Sequence, residues 1–227
     1  HYATDIIAGG LLALISYKIV LSIFESRFPM ISVKELEIKR PSLLFKTNIV
    51  FVIFGIFVTV GYDFDVFFSS FFYYGNSQFF LQGYDVLSII FRYFFLPFLV
   101  LYLFVLPIIN YFFSINKLYF GHRFLLKELI FVFLTGLTAL GLVVNVLLKN
   151  LWGRTRPNDI IQFGGADVFS PWYKFGETCI SNCSFVSGDA SVGFALILFY
   201  FVTKKIIYVY LSIICGLCLG IIRILAG

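Results

Sequence analysis

Long apolar runs, rather than strict alternation or short amphipathic repeats, set the pattern of this chain. Six can be drawn, at roughly 5–24, 47–62, 86–113, 128–148, 187–203 and 206–225, separated by short polar segments. An α-helix rises about 1.5 Å per residue, so about 20 mostly apolar residues cross a bilayer, and each run reads as a membrane helix. The second and fifth are the shortest. The third carries Pro97 and Pro107, which remove backbone donors and predict a kink or an early end. A membrane helix tolerates this where neighbours satisfy the freed carbonyls. No polar segment is long enough to fold separately, so the expected architecture is all-α, a six-helix transmembrane bundle forming one domain over residues 1–227. Tyr73, Tyr74 and Trp172 fall in connections, where aromatic rings rest at headgroup depth.

Composition sharpens the class. Of 227 residues, 60% are hydrophobic and 13% charged, with a mean hydropathy of +0.97, which excludes a water-soluble domain. The net charge of +5 does not imply nucleic acid, because the cations are not gathered on one soluble face. They sort instead by side. Arg27, Lys34, Lys39, Arg40 and Lys46, then Lys117, Arg123 and Lys127, then Lys204 and Lys205 share one side of the bundle and mark it as cytoplasmic. Lys149, Arg154, Arg156, Lys174 and Arg223 lie opposite. No cleavable signal is expected, since the first apolar run lacks a basic leader.

Two stretches carry chemistry. KNLWGRTRP (149–157) follows a span and holds Lys149, Arg154 and Arg156. A few long cations at a membrane boundary also read as snorkelling side chains. On the outward side, a clamp for a multiply charged oxyanion becomes the sharper reading: guanidinium groups match phosphate oxygens with paired donors, and an ammonium adds a compact charge. CSFVSGDASVGFALILF (183–199) places Ser187 and Gly188 before an apolar helix. That is either an ordinary helix cap or an anion site of hydroxyl and exposed amides. In the same outward region Cys179 and Cys183 are free thiols or a disulfide, while Cys215 and Cys218 fall in a span as packing residues.

The chain begins HYATD and ends IIRILAG, and its single methionine is Met30. Read across the ends, Arg223 precedes His1 and His1 precedes Asp5. This motivates an expectation of circular permutation, or an equivalent reordering, with a native start near Met30 and residues 1–28 as the native C-terminal segment. His1 and Asp5 stand four apart, on one helical face, so the carboxylate can fix the imidazole's orientation and tautomer; capping and solvation are the plainer roles.

Together these residues resemble the type 2 phosphatidic acid phosphatase superfamily of membrane lipid phosphatases. Its K-x6-R-P motif is met by Lys149, Arg156 and Pro157, with Arg154 in a common family position. Its P-S-G-H motif is met in part by Ser187, Gly188 and Asp189, and its S-R-x5-H-x3-D motif only across the ends, by Arg223, His1 and Asp5, one residue short and with Ile222 where Ser is usual. The resemblance implies a catalytic set of His1, Asp5 and Asp189, with Lys149, Arg154, Arg156, Ser187, Gly188 and Arg223 holding the substrate phosphate. His1 would be the nucleophile that forms a phosphohistidine. Asp189 replaces the family's acid, and would serve as one only with a raised pKa; otherwise it positions a neighbour or weakens turnover.

No metal or other cofactor is implied, and the only other histidine, His122, lies in a presumed cytoplasmic loop. The implied partner is a phosphorylated lipid in the bacterial inner membrane, dephosphorylated on the periplasmic face. Candidates are lipid A, undecaprenyl pyrophosphate, phosphatidate and phosphatidylglycerophosphate. The run GRTRPNDIIQFGG and the motif Asp are similar to lipid A phosphatases of the 4′ type. Competing classes are an anion transporter, a lipid phosphotransferase and a catalytically impaired lipid binder.

Overall fold

The fold is that of a computed structural model, which describes residues 2–10, 64–81, 86–115, 119–176, 178, 179 and 183–227. His1, Met30, the connection around Met30, most of the first expected span and all of the second lie outside the described residues. Within them the chain is helical almost throughout. Helix α1 covers 3–10, and α2 is Phe64–Ser70. A small antiparallel hairpin, β1 (Tyr73–Gly75) with β2 (Gln78–Phe79), pairs Tyr73 with Phe79. Then follow the long helices α3 (Val86–Phe113) and α4 (Leu126–Leu151), the short α5 (Gly188–Ala195) and α6 (Ile197–Thr203), and α7 (Ile207–Leu225).

Helices α3, α4 and α7 have 28, 26 and 19 residues and are long and apolar enough to cross a membrane. Gly188–Thr203, α5 joined to α6 by a turn at Leu196, is a shorter apolar segment. Neither proline ends α3: it runs through Pro107 to Phe113 and stops at Ser114, whose left-handed backbone (φ 54°) lets its N–H donate to the Asn110 carbonyl at 2.9 Å. Just before Pro97 the helix widens into π register over Ile90–Phe95, with the Leu96 N–H donating to the Phe91 carbonyl. Widening accommodates hydrogen bonding next to a residue that lacks a donor. A longer π stretch, Leu137–Leu148, occupies the second half of α4.

The bundle closes on glycines. A Cβ on Gly193 of α5 would stand 2.6 Å from the Gly216 nitrogen of α7, and one on Gly136 of α4 would stand 2.7 Å from the Phe104 ring of α3. A Cβ on Gly220 of α7 would meet Ile6 of α1 at 2.6 Å, and one on Gly9 would meet Ser191 of α5 at 2.8 Å. Lipid tails are as apolar as side chains, so helices in a bilayer associate by such close packing rather than by escape from water. The main core lies among α3, α4, α6 and α7, where Leu103, Phe124, Val132, Phe199 and Tyr208 are buried. The Tyr102 and Tyr208 hydroxyls meet at 3.2 Å and the Tyr119 hydroxyl donates to the Tyr102 carbonyl, so the buried polar tips have partners. Helix α3 stays on the outside: Phe94, Phe112 and Phe113 are all exposed.

A second cluster of Tyr2, Phe79, Ile160, Phe163 and Phe169 packs the hairpin against the loop after α4. The Leu81 N–H donates to the Leu225 carbonyl at 2.8 Å, fixing the hairpin to the end of α7. Of the tyrosines expected at headgroup depth, Tyr74 is exposed, whereas Tyr73 packs its ring against Phe79 and Phe163.

Candidate active site

The loop leaving α4 has to turn sharply, and its glycine pattern permits that. Gly153 sits at φ +65°, and a Cβ there would be 2.2 Å from the Gly176 carbonyl oxygen. Two loop segments therefore cross in direct backbone contact, joined by a bond from the Gly176 N–H to the Trp152 carbonyl at 2.8 Å. Trp152 stacks on Phe185, meets Phe175 at a tilt and donates its indole N–H to the Trp172 carbonyl. Cys179 and Cys183 form a disulfide. The Cys183 N–H donates to the Lys149 carbonyl at 3.2 Å and the Ser184 N–H to the Arg154 carbonyl at 2.7 Å, so this loop is tied to the end of α4.

Arg154 departs from the expected phosphate-binding role. Its side chain is 0% exposed. Nη1 donates to Asp5 Oδ1 at 2.7 Å and to Thr4 Oγ1 at 3.0 Å, Nη2 to Asp65 Oδ2 at 2.7 Å, and Nε to the Ser170 carbonyl at 3.0 Å. The guanidinium also lies 4.0 Å over the Tyr2 ring, a cation–π contact. Burial alone would lower its pKa, but the Asp5 and Asp65 carboxylates more than offset this and hold it raised. Every nitrogen is engaged inside the protein, which leaves no face for a ligand.

Asp5 is buried at the other end of this network. Its carboxylate accepts from Arg154, from the Tyr2 N–H at 3.0 Å and from the Ser184 hydroxyl. Asp65 also accepts from the Thr4 N–H and hydroxyl. Sequence reasoning missed Asp65: nothing local to YDFD distinguishes a carboxylate that will meet a guanidinium 89 residues away.

The remaining motif residues converge on the amino end of α5. Ser187 caps that helix, its buried hydroxyl accepting from the Ala190 N–H at 3.4 Å. The Lys149 ammonium packs against Gly188, where a Cβ would stand 3.0 Å from Nζ. Asp189 Oδ2 lies 3.4 Å from Arg223 Nε, an ion pair without hydrogen-bond geometry, since that nitrogen otherwise has no partner and is buried. Lys149 lies within electrostatic reach of Asp189, Arg156, Arg223 and Arg92. Arg156 is half-buried just before Pro157. Arg92, which the linear motifs do not include, lines a cleft with Ser88, Phe91, Asp189, Ile222 and Arg223.

Several helices thus bring these groups together, with Lys149 near the end of α4 and Arg92 in α3. Helix α5 supplies its amino end, α7 supplies Arg223, and α1 carries Asp5 against both, with Ile6, Ala190 and Ile224 in one apolar cluster. Cations gathered beside a helix amino terminus favour a phosphoryl group.

An all-α membrane fold with cations gathered at a helix amino end suits a membrane protein that binds a phosphoryl group. The chain belongs to the PAP2 superfamily, which residues 128–227 match. It is 32% identical over 178 residues to a lipid A 4'-phosphatase of Francisella tularensis subsp. novicida (strain U112), covering 76% of this chain and 78% of that protein. Over 68 residues it is 48% identical to a lipid A 4'-phosphatase of Rhizobium leguminosarum, covering 30% of this chain and 29% of that protein. No solved structure matches the chain significantly. The protein is therefore a membrane lipid phosphatase.

Proposed function

We propose that this phosphatase removes a phosphate from lipid A, at the periplasmic face of the bacterial inner membrane, through a phosphohistidine on His1. The observation that carries the site is the packing of the Lys149 ammonium against Gly188 beside the Asp189–Arg223 pair, which collects parts of three separate motifs at one helix amino end. The relatives named lipid A 4'-phosphatase support the substrate. The sorting of basic residues along the chain supports the orientation.

In this reading Lys149, Arg156 and Arg223, with Ser187 and the Gly188 amide, hold the phosphoryl oxygens. Phosphoryl transfer asks mainly for positioning and charge stabilisation. A ring nitrogen of His1 attacks phosphorus and the bond to the lipid oxygen breaks, that oxygen taking a proton. A water oxygen then attacks phosphorus and the phosphorus–nitrogen bond breaks, releasing inorganic phosphate and returning the electron pair to the imidazole nitrogen. Asp5 orients His1. Arg154 holds Asp5 and binds no substrate.

Asp189 has two separable roles, delivering the proton to the leaving oxygen or holding Arg223; its 3.4 Å approach to Arg223 favours the second. Asp189→Asn then loses activity evenly across pH, whereas a proton donor would lose a limb of the pH profile.

The substrate assignment is tested by incubating purified protein in detergent with lipid A, undecaprenyl pyrophosphate, phosphatidate or phosphatidylglycerophosphate and following phosphate release. Lipid A is expected to be the fastest substrate, and faster turnover of any other would overturn the choice. Trapping the labelled intermediate and locating it on His1 tests the covalent step.

A further inference from the structure

The segment CSFVS (183–187) is buried from end to end, and two of its residues, Cys183 and Ser184, stand outside the three motifs yet join them. The Cys183 N–H donates to the Lys149 carbonyl at 3.2 Å and the Ser184 N–H to the Arg154 carbonyl at 2.7 Å, which ties both to the first motif. Three residues further on, Ser187 caps α5 in the second. The Ser184 hydroxyl donates to Asp5 Oδ2, in the third. Ser187 adds its own N–H to the Asp5 carbonyl at 3.4 Å.

Burial alone does not explain the partner that this hydroxyl takes. Other buried hydroxyls settle on a nearby backbone carbonyl: Ser191 donates to Ser187 and Thr203 to Phe199, each four residues back. Ser184 reaches instead a carboxylate 179 residues away in sequence. A bond to an ionised acceptor is about twice as strong as one between neutral groups. The same oxygen, Asp5 Oδ2, accepts from the Tyr2 N–H at 3.0 Å, and that N–H belongs to the peptide joining His1 to Tyr2. Arg154 bonds the other carboxylate oxygen. The serine thus steadies the oxygen that anchors the peptide leading to His1.

A covalent bridge fixes the chain directly before Ser184. The half-cystines of the Cys179–Cys183 disulfide are four apart, and a bridge closing so short a loop removes less chain entropy than one closing a long loop. Its main effect is local. With Cys183 bridged and its N–H on the Lys149 carbonyl, and the Ser184 N–H on the Arg154 carbonyl, the backbone that presents the hydroxyl is held at both residues.

We propose that Ser184 is a positioning residue for phosphoryl transfer, acting through Asp5 on His1, and that the Cys179–Cys183 disulfide is the clamp that keeps its hydroxyl in place. The proposal rests on the reading that His1 is the nucleophile and Asp5 orients it. It makes full turnover depend on an intact cystine, and so on an oxidising compartment.

The test is a cycle of wild type, Ser184→Ala, Cys179→Ser and the double variant in detergent. Each is assayed for phosphate release from the fastest of the four lipids named above, for trapped phosphohistidine in a single turnover, and for thermal unfolding. Ser184→Ala is expected to lower kcat and the rate of phosphohistidine formation about tenfold, with KM within about twofold and the melting point nearly unchanged, because a misplaced nucleophile slows the step without weakening lipid binding. Cys179→Ser is expected to give the same pattern at about fivefold. The double variant should lose no more than about tenfold, since without the hydroxyl the clamp has nothing to hold. An unaffected Cys179→Ser, or losses that multiply to about fiftyfold, would overturn the clamp. An unchanged kcat in Ser184→Ala, a loss confined to KM, or a collapsed fold would make the hydroxyl structural and overturn the proposal. Asp5→Asn is the control for the underlying reading, because it must lose phosphohistidine formation. Retained formation there would sink that reading and the proposal with it, whereas loss there beside an unaffected Ser184→Ala sinks the proposal alone.

Discussion

Replacing Arg154 with Met separates a structural role from a substrate-binding one. The side chain makes two 2.7 Å ion pairs, to Asp5 and Asp65, two further bonds at 3.0 Å and a ring contact, all at 0% exposure. Methionine fills much of the volume and removes all of these. Two carboxylates then remain buried without the guanidinium's charge, while Thr4, Ser184 and the Tyr2 N–H still donate to them. Breaking a buried pair by deleting one partner costs about 3–5 kcal/mol, because the remaining charge is uncompensated. At about 2–4 °C per kcal/mol for a chain of this size, the midpoint of thermal unfolding in detergent should fall by roughly 10 °C. Asp65→Asn keeps an acceptor and leaves Asp5 as a counter-charge, so it should cost less, about 1.5–3 kcal/mol. The double variant should be less destabilised than the sum, since Met no longer strands the Asp65 charge. A variant with Arg154→Met that unfolds within about 3 °C of wild type yet loses phosphate release a hundredfold would refute the reasoning and return Arg154 to the substrate.

Other outcomes follow from the same geometry. Lys149→Ala should lower kcat by about a hundredfold or more with the fold intact, checked by phosphate release beside a melting curve. Gly188→Ala puts a methyl 3.0 Å from Lys149 Nζ, so kcat should fall about tenfold as the ammonium is displaced, while the melting point moves little; equal activity would show that Lys149 has room to shift. Gly193→Ala forces a methyl against the Gly216 backbone at 2.6 Å and should destabilise the bundle by about 1–3 kcal/mol, measured by unfolding in detergent.

Local signals in the sequence carried the spans and the helix starts. Lys149, Arg156 and Pro157 are close in sequence and follow a span, and Ser187 before an apolar run marks a helix start that the structure places at Gly188. The apolar runs likewise located α3, α4 and α7 within a few residues. Partnerships across the chain were not legible. Arg154 looks like Arg156 in KNLWGRTRP, and only folding sends it to carboxylates 149 and 89 residues away. Arg92 reads as one cation in a span until packing brings α3 beside Asp189 and Arg223. Pro97 and Pro107 do not end α3 early: a change of hydrogen-bond register precedes Pro97, and ordinary α-helix runs on through Pro107.

The π stretch of α4 also bears on how this enzyme tolerates change. Through Leu137–Leu148 the backbone bonds reach back five residues, and the Lys149 N–H still donates to the Val144 carbonyl. A helix turns about 100° per residue in ordinary register. Removing a single apolar residue from that stretch would leave the hydropathy of the span almost untouched, yet would permit the helix to tighten and swing Lys149 away from Gly188. The reach of the ammonium is therefore set by residue count within an apolar segment, so on the proposed role of Lys149 a deletion invisible to hydropathy should lower phosphate release as far as Lys149→Ala does.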